Sequence, residues 1–170
     1  MIPETQKWPV IREAVPTDTE AIAEIYNEHI EIGVSTMDRT LKTAEDICNW
    51  FDNFDEREQL LVLEGEKDIM GWGIIKKYSE REGYKFAAET AVYLRSAYLG
   101  KGYGTFLKKE IIERCRQFSY HHLVAKIFSV NKASIKYNAK LGYELVGTQK
   151  EIGFVKGKWM DVTIMQLLLK

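Results

Sequence analysis

The segment Leu99–Gly104, which reads Leu-Gly-Lys-Gly-Tyr-Gly, is the part of the sequence best suited to binding an anion. Its glycines occupy alternate positions between a predicted strand and a predicted helix, so the backbone can turn tightly and present N–H groups where the helix begins. Those donors and the positive end of the helix dipole together suit a pyrophosphate, and Lys101 adds a positive charge. The spacing fits neither the Walker loop nor the dinucleotide fingerprint, and a plain glycine-rich turn is the alternative interpretation.

Glu89 is the lone acid in an apolar, strand-forming run, Phe86–Leu94. Removing a carboxylate from water costs free energy unless the group has partners or a task. A buried carboxyl group titrates closer to neutrality, which suits a general base that must take a proton from an ammonium substrate. The strand pattern by itself favours the alternative, an acid on the solvent face of a half-buried strand.

Hydrophobic periodicity and turn residues predict the elements that must position these candidates. The predicted strands cover residues 10–13, 59–64, 69–77, about 86–94, 124–128, around 143–149 and 159–168. Two predicted helices begin at residues with capping-box spacing, Thr17 with Glu20 and Thr43 with Asp46. Two more are predicted, one from the apolar stripe Leu107–Phe118 and one at Lys132–Leu141. The order mixes strands and helices without strict alternation, which indicates one mixed sheet flanked by helices.

Composition narrows the class of protein. The chain has 170 residues, 45% of them hydrophobic, which predicts one domain over 1–170 with a flexible tail at residues 1–9. It carries 24 Lys and Arg against 25 Asp and Glu, a balance that argues against nucleic acid as a partner. No apolar run is long enough for a membrane span, and no secretory signal is recognisable. Two lone cysteines predict a reduced, cytoplasmic protein, and His121 and His122 lack partners at metal-ligand spacing, so no metal is expected.

Seven short segments form a consistent pattern along nearly the whole chain, from Ile11 to Leu168. They are Ile25-Tyr26-Asn27, Arg81-x-x-Tyr84, Glu89-x-x-Val92-Tyr93-Leu94, Gly100-Lys101-Gly102-Tyr103-Gly104, Asn131-Lys132-Ala133-Ser134, Leu141-Gly142-Tyr143 and Gly157-Lys158-Trp159-Met160-Asp161. In their order and spacing these segments resemble the GNAT superfamily of N-acetyltransferases, and within it the group similar to phosphinothricin acetyltransferase.

The resemblance implies an α/β domain with a central mixed, mostly antiparallel sheet of about six to seven strands, splayed in the middle and flanked by about four helices. It implies acetyl-CoA as the co-substrate, lying in the gap, and Glu89 as the general base, acting directly or through a water. The residues that it assigns to acetyl-CoA are Val92, Tyr93, Leu94, Leu99, Gly100, Lys101, Gly102, Tyr103, Gly104, Thr105, Asn131 and Ser134. Dimers are common in the group, so a homodimer is expected.

Some positions depart from the family pattern. Leu99 stands where many members carry Arg or Gln, and Asn138 stands where a tyrosine often protonates the leaving thiolate, with Tyr137 beside it. No side chain is therefore assigned as that acid. Arg81 and Tyr84 match the acceptor site, where Arg81 would clamp a carboxylate; a surface ion pair with Glu80 or Glu82 is the alternative.

The resemblance implies an enzyme that acetylates the primary amine of a small amino-acid-like molecule, of the phosphinothricin or methionine sulfoximine type. A second hypothesis keeps the chemistry but takes a cationic amine or a peptide N-terminus, attracted by the acidic loop around Arg81. A third is a non-catalytic module that binds acetyl-CoA and senses its level, against which the presence of Glu89 speaks.

Overall fold

The computed structural model describes residues 7–170, so most of the predicted tail at residues 1–9 lies outside the described residues. The strands are β1 (Val10–Glu13), β2 (Gln59–Glu64), β3 (Ile69–Lys77), β4 (Ala87–Leu94), β5 (His122–Phe128), β6 (Glu144–Val155) and β7 (Lys158–Leu168). The α-helices are α1 (Thr19–Ile32), α2 (Ala44–Asn53), α3 (Tyr103–Gln117) and α4 (Lys132–Lys140). Each predicted strand and helix is present, and the bounds of β1, β2 and β3 are those predicted.

The seven strands form one sheet in the order β1-β2-β3-β4-β5-β7-β6. Every neighbouring pair is antiparallel except β4 and β5, which run parallel. That parallel ladder has only three residue pairs, from Ala87 with His122 to Glu89 with Val124, and beyond it the pairing stops. The prediction of a mixed, mostly antiparallel sheet that splays in the middle is therefore confirmed.

The two faces of the sheet are covered by different helices, and β2 shows how one strand serves both. Leu60 and Val62 belong to the apolar cluster that includes side chains of α1 and α2. Leu61 and Leu63 point the other way, into the cluster that includes side chains of α3. Because successive side chains of a strand alternate between faces, a strand buried on both sides reads as an unbroken apolar run, which is the pattern of residues 60–63.

The two predicted helix starts have different outcomes. Thr43 caps α2 as predicted: the Asp46 N–H donates to Thr43 Oγ1 at 3.2 Å, and the Thr43 N–H donates to Asp46 Oδ2 at 2.7 Å. The capping box predicted at Thr17 is wrong, because α1 begins only at Thr19. The Asp18 carboxylate accepts the Val15 N–H and pairs with Arg12 of β1, so these two contacts determine how the chain enters α1.

None of the helices in residues 7–170 combines the length and the apolar character that a membrane crossing requires. Within the same range, no three or more His, Cys, Asp or Glu side chains are grouped in a way that could hold a metal ion.

Candidate active site

A narrow cleft opens between β4 and β5 beyond the Glu89–Val124 pair. Residues Thr90–Leu94 pair with β3 on one side only, so the edge of β4 that faces β5 keeps backbone N–H and C=O groups without a strand partner. A cavity of about 50 Å³ lies in this cleft, between residues 90–93 and 125–128. Of the predicted contact residues on this strand, Val92 and Tyr93 line the cavity, whereas the Leu94 side chain is buried in the core.

The glycine turn lies immediately before α3. Gly100 and Gly102 have φ angles of 72° and 87°, in the left-handed region that glycine adopts without strain. The Phe106 N–H donates to the Gly102 carbonyl at 3.1 Å, so the N–H groups of residues 103–105 have no acceptor within the helix. A Cβ on either glycine would meet no atom within 4 Å, which leaves open space around the turn. The turn has the free donors and the room that the pyrophosphate of acetyl-CoA requires.

The start of α4 supplies polar groups on the β5 side of the cleft. Asn131 Oδ1 accepts the Ser134 N–H at 3.2 Å, so the predicted cofactor residue Asn131 also caps this helix. One turn later, Asn138 Nδ2 donates to the Ser134 carbonyl at 2.9 Å. Asn138 Oδ1 is buried and has no hydrogen-bond partner in residues 7–170. Because a buried orphan acceptor costs free energy, a donor from a ligand is expected there, and the amide N–H groups of the pantetheine arm fit this need.

Glu89 lies where the cleft meets a much larger cavity of about 1410 Å³. Its side chain is 36% exposed, and its Oε2 is 3.2 Å from Nζ of Lys126 on β5. Glu89 is therefore only partly buried, which agrees with the solvent-face alternative that the strand pattern favours. The cause is strand alternation: Ala88 and Thr90 are buried on the core side, and Glu89 points to the opposite face, into the large cavity.

The wall of the large cavity nearest to Glu89 is aromatic. Tyr93 stacks against Trp72 with ring centroids 4.7 Å apart, and the Tyr26 ring meets both edge-on. Trp72 is buried in the core and also lines the cavity. Burial raises the pKa of the Tyr26 hydroxyl, which hydrogen-bonds Thr36 at 2.7 Å and also Asp38.

Those bonds from Tyr26 hold the loop after α1 against the cavity. Thr36, Met37 and Asp38 all contribute to its wall. The flexible end of the Met37 side chain lies against Gly153 of β6, where a Cβ would have to displace it. The loop is thus part of the cavity wall.

The two predicted acceptor residues are placed differently. Tyr84 lines the large cavity and packs on Tyr78 with ring centroids 5.2 Å apart. Arg81 is exposed, lies outside the set of lining residues, and donates its backbone N–H to Ser79 Oγ at 3.2 Å. Its side chain forms no ion pair with a carboxylate of residues 7–170. The cation that the structure brings to Glu89 is Lys126, which sequence reasoning did not single out.

His29 on α1 is connected to the site by two hydrogen bonds. Its Nε2 lies 2.8 Å from the Leu94 carbonyl, so Nε2 carries the proton and donates, and Nδ1 accepts from the Ser35 hydroxyl at 2.7 Å. Burial lowers the pKa of His29, which favours this neutral form. The side chain therefore fixes the end of β4 to α1 and to the loop.

Lys108 is the second residue that sequence reasoning missed. It is 1% exposed, lines the small cavity, and donates from Nζ to Thr90 Oγ1 at 2.7 Å. A signal was available: Lys108, Ile111, Ile112 and Cys115 recur at helical spacing, so the lysine interrupts the apolar stripe of α3.

Comparison with known proteins supports the family resemblance noted from the sequence. The family model described as Acetyltransferase (GNAT) domain matches residues 11–164. An L-methionine sulfoximine/L-methionine sulfone acetyltransferase from Salmonella typhimurium is 34% identical over 166 residues, covering 94% of each chain.

Two solved structures share the fold at similar identity. A GNAT superfamily phosphinothricin acetyltransferase from Sinorhizobium meliloti, solved in complex with acetyl-CoA, superposes with a TM-score of 0.90 at 30% identity over 96% of this chain and 89% of that one. A ribosomal-protein-alanine N-acetyltransferase from Brucella melitensis gives a TM-score of 0.90 at 33% identity over 94% and 99%. Together with the splayed sheet and the glycine turn, these matches mean that the chain belongs to the GNAT acetyltransferase family and is an N-acetyltransferase whose acetyl donor is acetyl-CoA.

Proposed function

We propose that this enzyme acetylates the primary amine of a small amino-acid-like molecule, with Glu89 as the general base. The observation that carries the proposal is the Glu89–Lys126 pair, whose charged atoms are 3.2 Å apart in the wall of the large cavity. An α-amino acid brings an ammonium and a carboxylate on one carbon. It can therefore replace both halves of the pair at once, with its ammonium on Glu89 and its carboxylate on Lys126.

The relatives support this class of acceptor. The Salmonella typhimurium enzyme acts on L-methionine sulfoximine and L-methionine sulfone, and a relative from Escherichia coli, 30% identical over 160 residues, is an L-amino acid N-acyltransferase. The aromatic wall formed by Tyr26, Trp72 and Tyr93 suits the apolar part of such a side chain.

The proposed chemistry follows from these positions. Acetyl-CoA supplies an acetyl group bonded to sulfur. An amine with a pKa of roughly 10 is almost fully protonated at neutral pH, so Glu89 must take a proton, directly or through a water, before the nitrogen can attack. A backbone N–H of β4 near Tyr93, on the edge without a strand partner, would stabilise the negative charge that develops on the carbonyl oxygen.

One alternative acceptor has a specific observation in its favour. The cavity of about 1410 Å³ is larger than small-molecule sites usually are, and the Brucella melitensis structure is that of a ribosomal-protein-alanine N-acetyltransferase. A peptide N-terminus is therefore the second candidate. It would place its ammonium on Glu89 but bring no neighbouring carboxylate to Lys126.

The experiment is a panel of acceptors assayed by thiol release, run on the wild type and on Glu89→Gln. We expect turnover above the amine-free background with amino-acid analogues and little with peptides or polyamines. Glu89→Gln keeps the size of the side chain but cannot accept the proton, so kcat should fall by about a hundred- to ten-thousandfold. The loss should shrink as pH rises, because more of the amine arrives already deprotonated.

Glu82→Gln, an exposed acid outside the cavity lining, is the matched control and should keep wild-type kcat. Wild-type kcat in Glu89→Gln at pH 7 with saturating acceptor would remove Glu89 from the role of base. If only peptides are acetylated, the acceptor is a peptide N-terminus and not an amino-acid-like molecule. Tight acetyl-CoA binding without turnover of any amine would favour the sensor hypothesis.

We also propose that the enzyme is a homodimer in the cytoplasm. The outer strand β6 exposes a run of apolar side chains that a second copy could cover, namely Leu145, Val146, Ile152 and Phe154. Both cysteines of the chain are free thiols, as expected in a reducing compartment. Light scattering on the eluted protein should give twice the 19.7 kDa of the chain.

A further inference from the structure

Lys108 is a buried lysine close to the cleft. It lies on the inner face of α3 and lines the small cavity of the cleft, where its ammonium group donates a hydrogen bond to Thr90 Oγ1. Lysine is almost never fully buried unless a carboxylate pairs with it. Within residues 7–170, no Asp or Glu forms an ion pair with Lys108. The position therefore carries a desolvation cost that no ion pair offsets.

The groups that face Lys108 come from four parts of the chain. Thr90 of β4 accepts its hydrogen bond, the Tyr143 ring lies 5.0 Å from Nζ, and the Cys115 thiol lies on the same face of α3. Tyr137 and Asn138 of α4 line the same cavity. Burial lowers the pKa of Lys108 to about 8, with the Cys115 thiol acting weakly in the opposite sense. The group is thus mostly charged at neutral pH but can release its proton far more readily than a lysine in water.

Lys108 and Glu89 approach the tip of the cleft from opposite faces of the sheet. Glu89 and Thr90 are consecutive in β4, so their side chains point in opposite directions. Glu89 projects into the large cavity, and Thr90 bonds Lys108 behind the sheet. If Glu89 takes the proton of the attacking amine, directly or through a water, the reacting carbon must lie between Glu89 and the backbone N–H near Tyr93, along the edge of β4 where the strand pairing ends. The bond to sulfur then breaks in the small cavity of the cleft, which residues 90–93 and Lys108 line together.

We propose that Lys108 is the catalytic acid of this enzyme, donating its proton to the coenzyme A sulfur as the thiolate leaves. This inference rests on the proposed function. The amine nitrogen forms its bond to the acetyl carbon and loses a proton to Glu89. The carbon–sulfur bond breaks with its electron pair on sulfur, and an Nζ proton of Lys108 passes to that sulfur, giving the thiol. Lys108 regains a proton from solvent once the products leave, and Glu89 loses one.

The other groups near the cleft are poorer acids. The Asn138 amide has no proton to give at neutral pH, and burial raises the pKa of Tyr137, which makes its hydroxyl a weaker donor. Lys126 is held by Glu89 on the acceptor side. A thiol has a pKa near 8.5, close to the value of about 8 for Lys108, so proton transfer between the two is nearly balanced in energy.

The test measures the ionisation of bound coenzyme A, which needs no acceptor and therefore fails or succeeds independently of the proposed function. Coenzyme A is titrated with pH in complex with the wild type and with Lys108→Met, and the thiolate is followed by its ultraviolet absorbance. A neighbouring ammonium should lower the pKa of the bound thiol, so that ionisation at a given pH is about tenfold greater than in free coenzyme A. Lys108→Met should abolish this increase.

Lys109→Met is the matched control, because Lys109 is the next residue on α3 and is exposed. It should titrate like the wild type. In turnover assays Lys108→Met should lose about a hundredfold in kcat and also the decline in kcat above about pH 8 that follows deprotonation of Lys108. Circular dichroism checks that the variant is folded. A folded Lys108→Met in which the bound thiol ionises as in the wild type would overturn the proposal, as would wild-type kcat.

Discussion

The buried ammonium of Lys108 should cost the protein stability, and the cost can be worked out from its pKa. In the unfolded chain a lysine titrates near 10.5, and in the fold Lys108 titrates near 8. That difference of about 2.5 in pKa corresponds to about 3 kcal/mol of folding free energy at pH 7. Lys108→Met removes the charge but leaves Thr90 without its donor, a loss of about 1 kcal/mol. The variant should therefore be about 2 kcal/mol more stable than the wild type at pH 7.

The effect of pH has a definite sign. Between pH 8 and 10.5 the unfolded state binds a proton at this lysine that the folded state does not, so this contribution to wild-type stability rises with pH. Burial also raises the pKa of Cys115 to about 12, so the stability contributed by that thiol is lost above its unfolded value of 9.0. Because Cys115 is present in both proteins, its effect largely cancels in their difference. The advantage of Lys108→Met should thus shrink by about 2 kcal/mol from pH 7 to pH 10.

Urea unfolding of the two proteins across this range measures the difference, with Lys109→Met as the exposed control. The control should stay within about 0.5 kcal/mol of the wild type at every pH. Two results would refute the reasoning. One is a difference between Lys108→Met and the wild type that does not change with pH. The other is a Lys108→Met protein that is less stable than the wild type at pH 7, which would mean that the ammonium is stabilised inside the fold.

Three further predictions concern the donor and acceptor sites. Gly102→Asp places a side chain on a residue in the left-handed region and a negative charge beside the pyrophosphate. Calorimetry should therefore show that the affinity for acetyl-CoA falls at least about tenfold. Unchanged affinity with an intact circular dichroism spectrum would exclude the turn from the site. Lys126→Met should raise the KM for the acceptor about tenfold, because the loss of one charge-assisted hydrogen bond weakens binding by about that factor. The KM for acetyl-CoA should change little. Arg81→Ala should raise the KM for the acceptor less than Lys126→Met does, because the Arg81 side chain lies outside the cavity lining. A larger effect of Arg81→Ala would mean that Arg81, and not Lys126, binds the carboxylate of the acceptor.

The sequence by itself determined the elements and the family. Local signals were sufficient for this: apolar runs and turn residues for β2 and β3, a capping box at Thr43, and alternate glycines ahead of α3. Each of these depends on residues a few positions apart, where backbone geometry and neighbouring side chains decide the conformation. Where two local signals competed, as the Asp18 bonds to Val15 and Arg12 compete with the capping box at Thr17, the prediction from sequence was wrong.

The tertiary structure alone decided which side chains meet. Glu89 and Lys126 pair because the short β4–β5 ladder brings distant parts of the chain side by side, and strand alternation turns both toward the cavity. The same alternation sends Thr90 to the opposite face, where a helix that begins nine residues after β4 delivers Lys108 to it. Sheet register and helix packing are set by the burial of the whole core, and no local pattern reports them. The acid in the apolar strand was therefore visible in the sequence, whereas its cationic partner and the buried lysine behind it were determined by the fold.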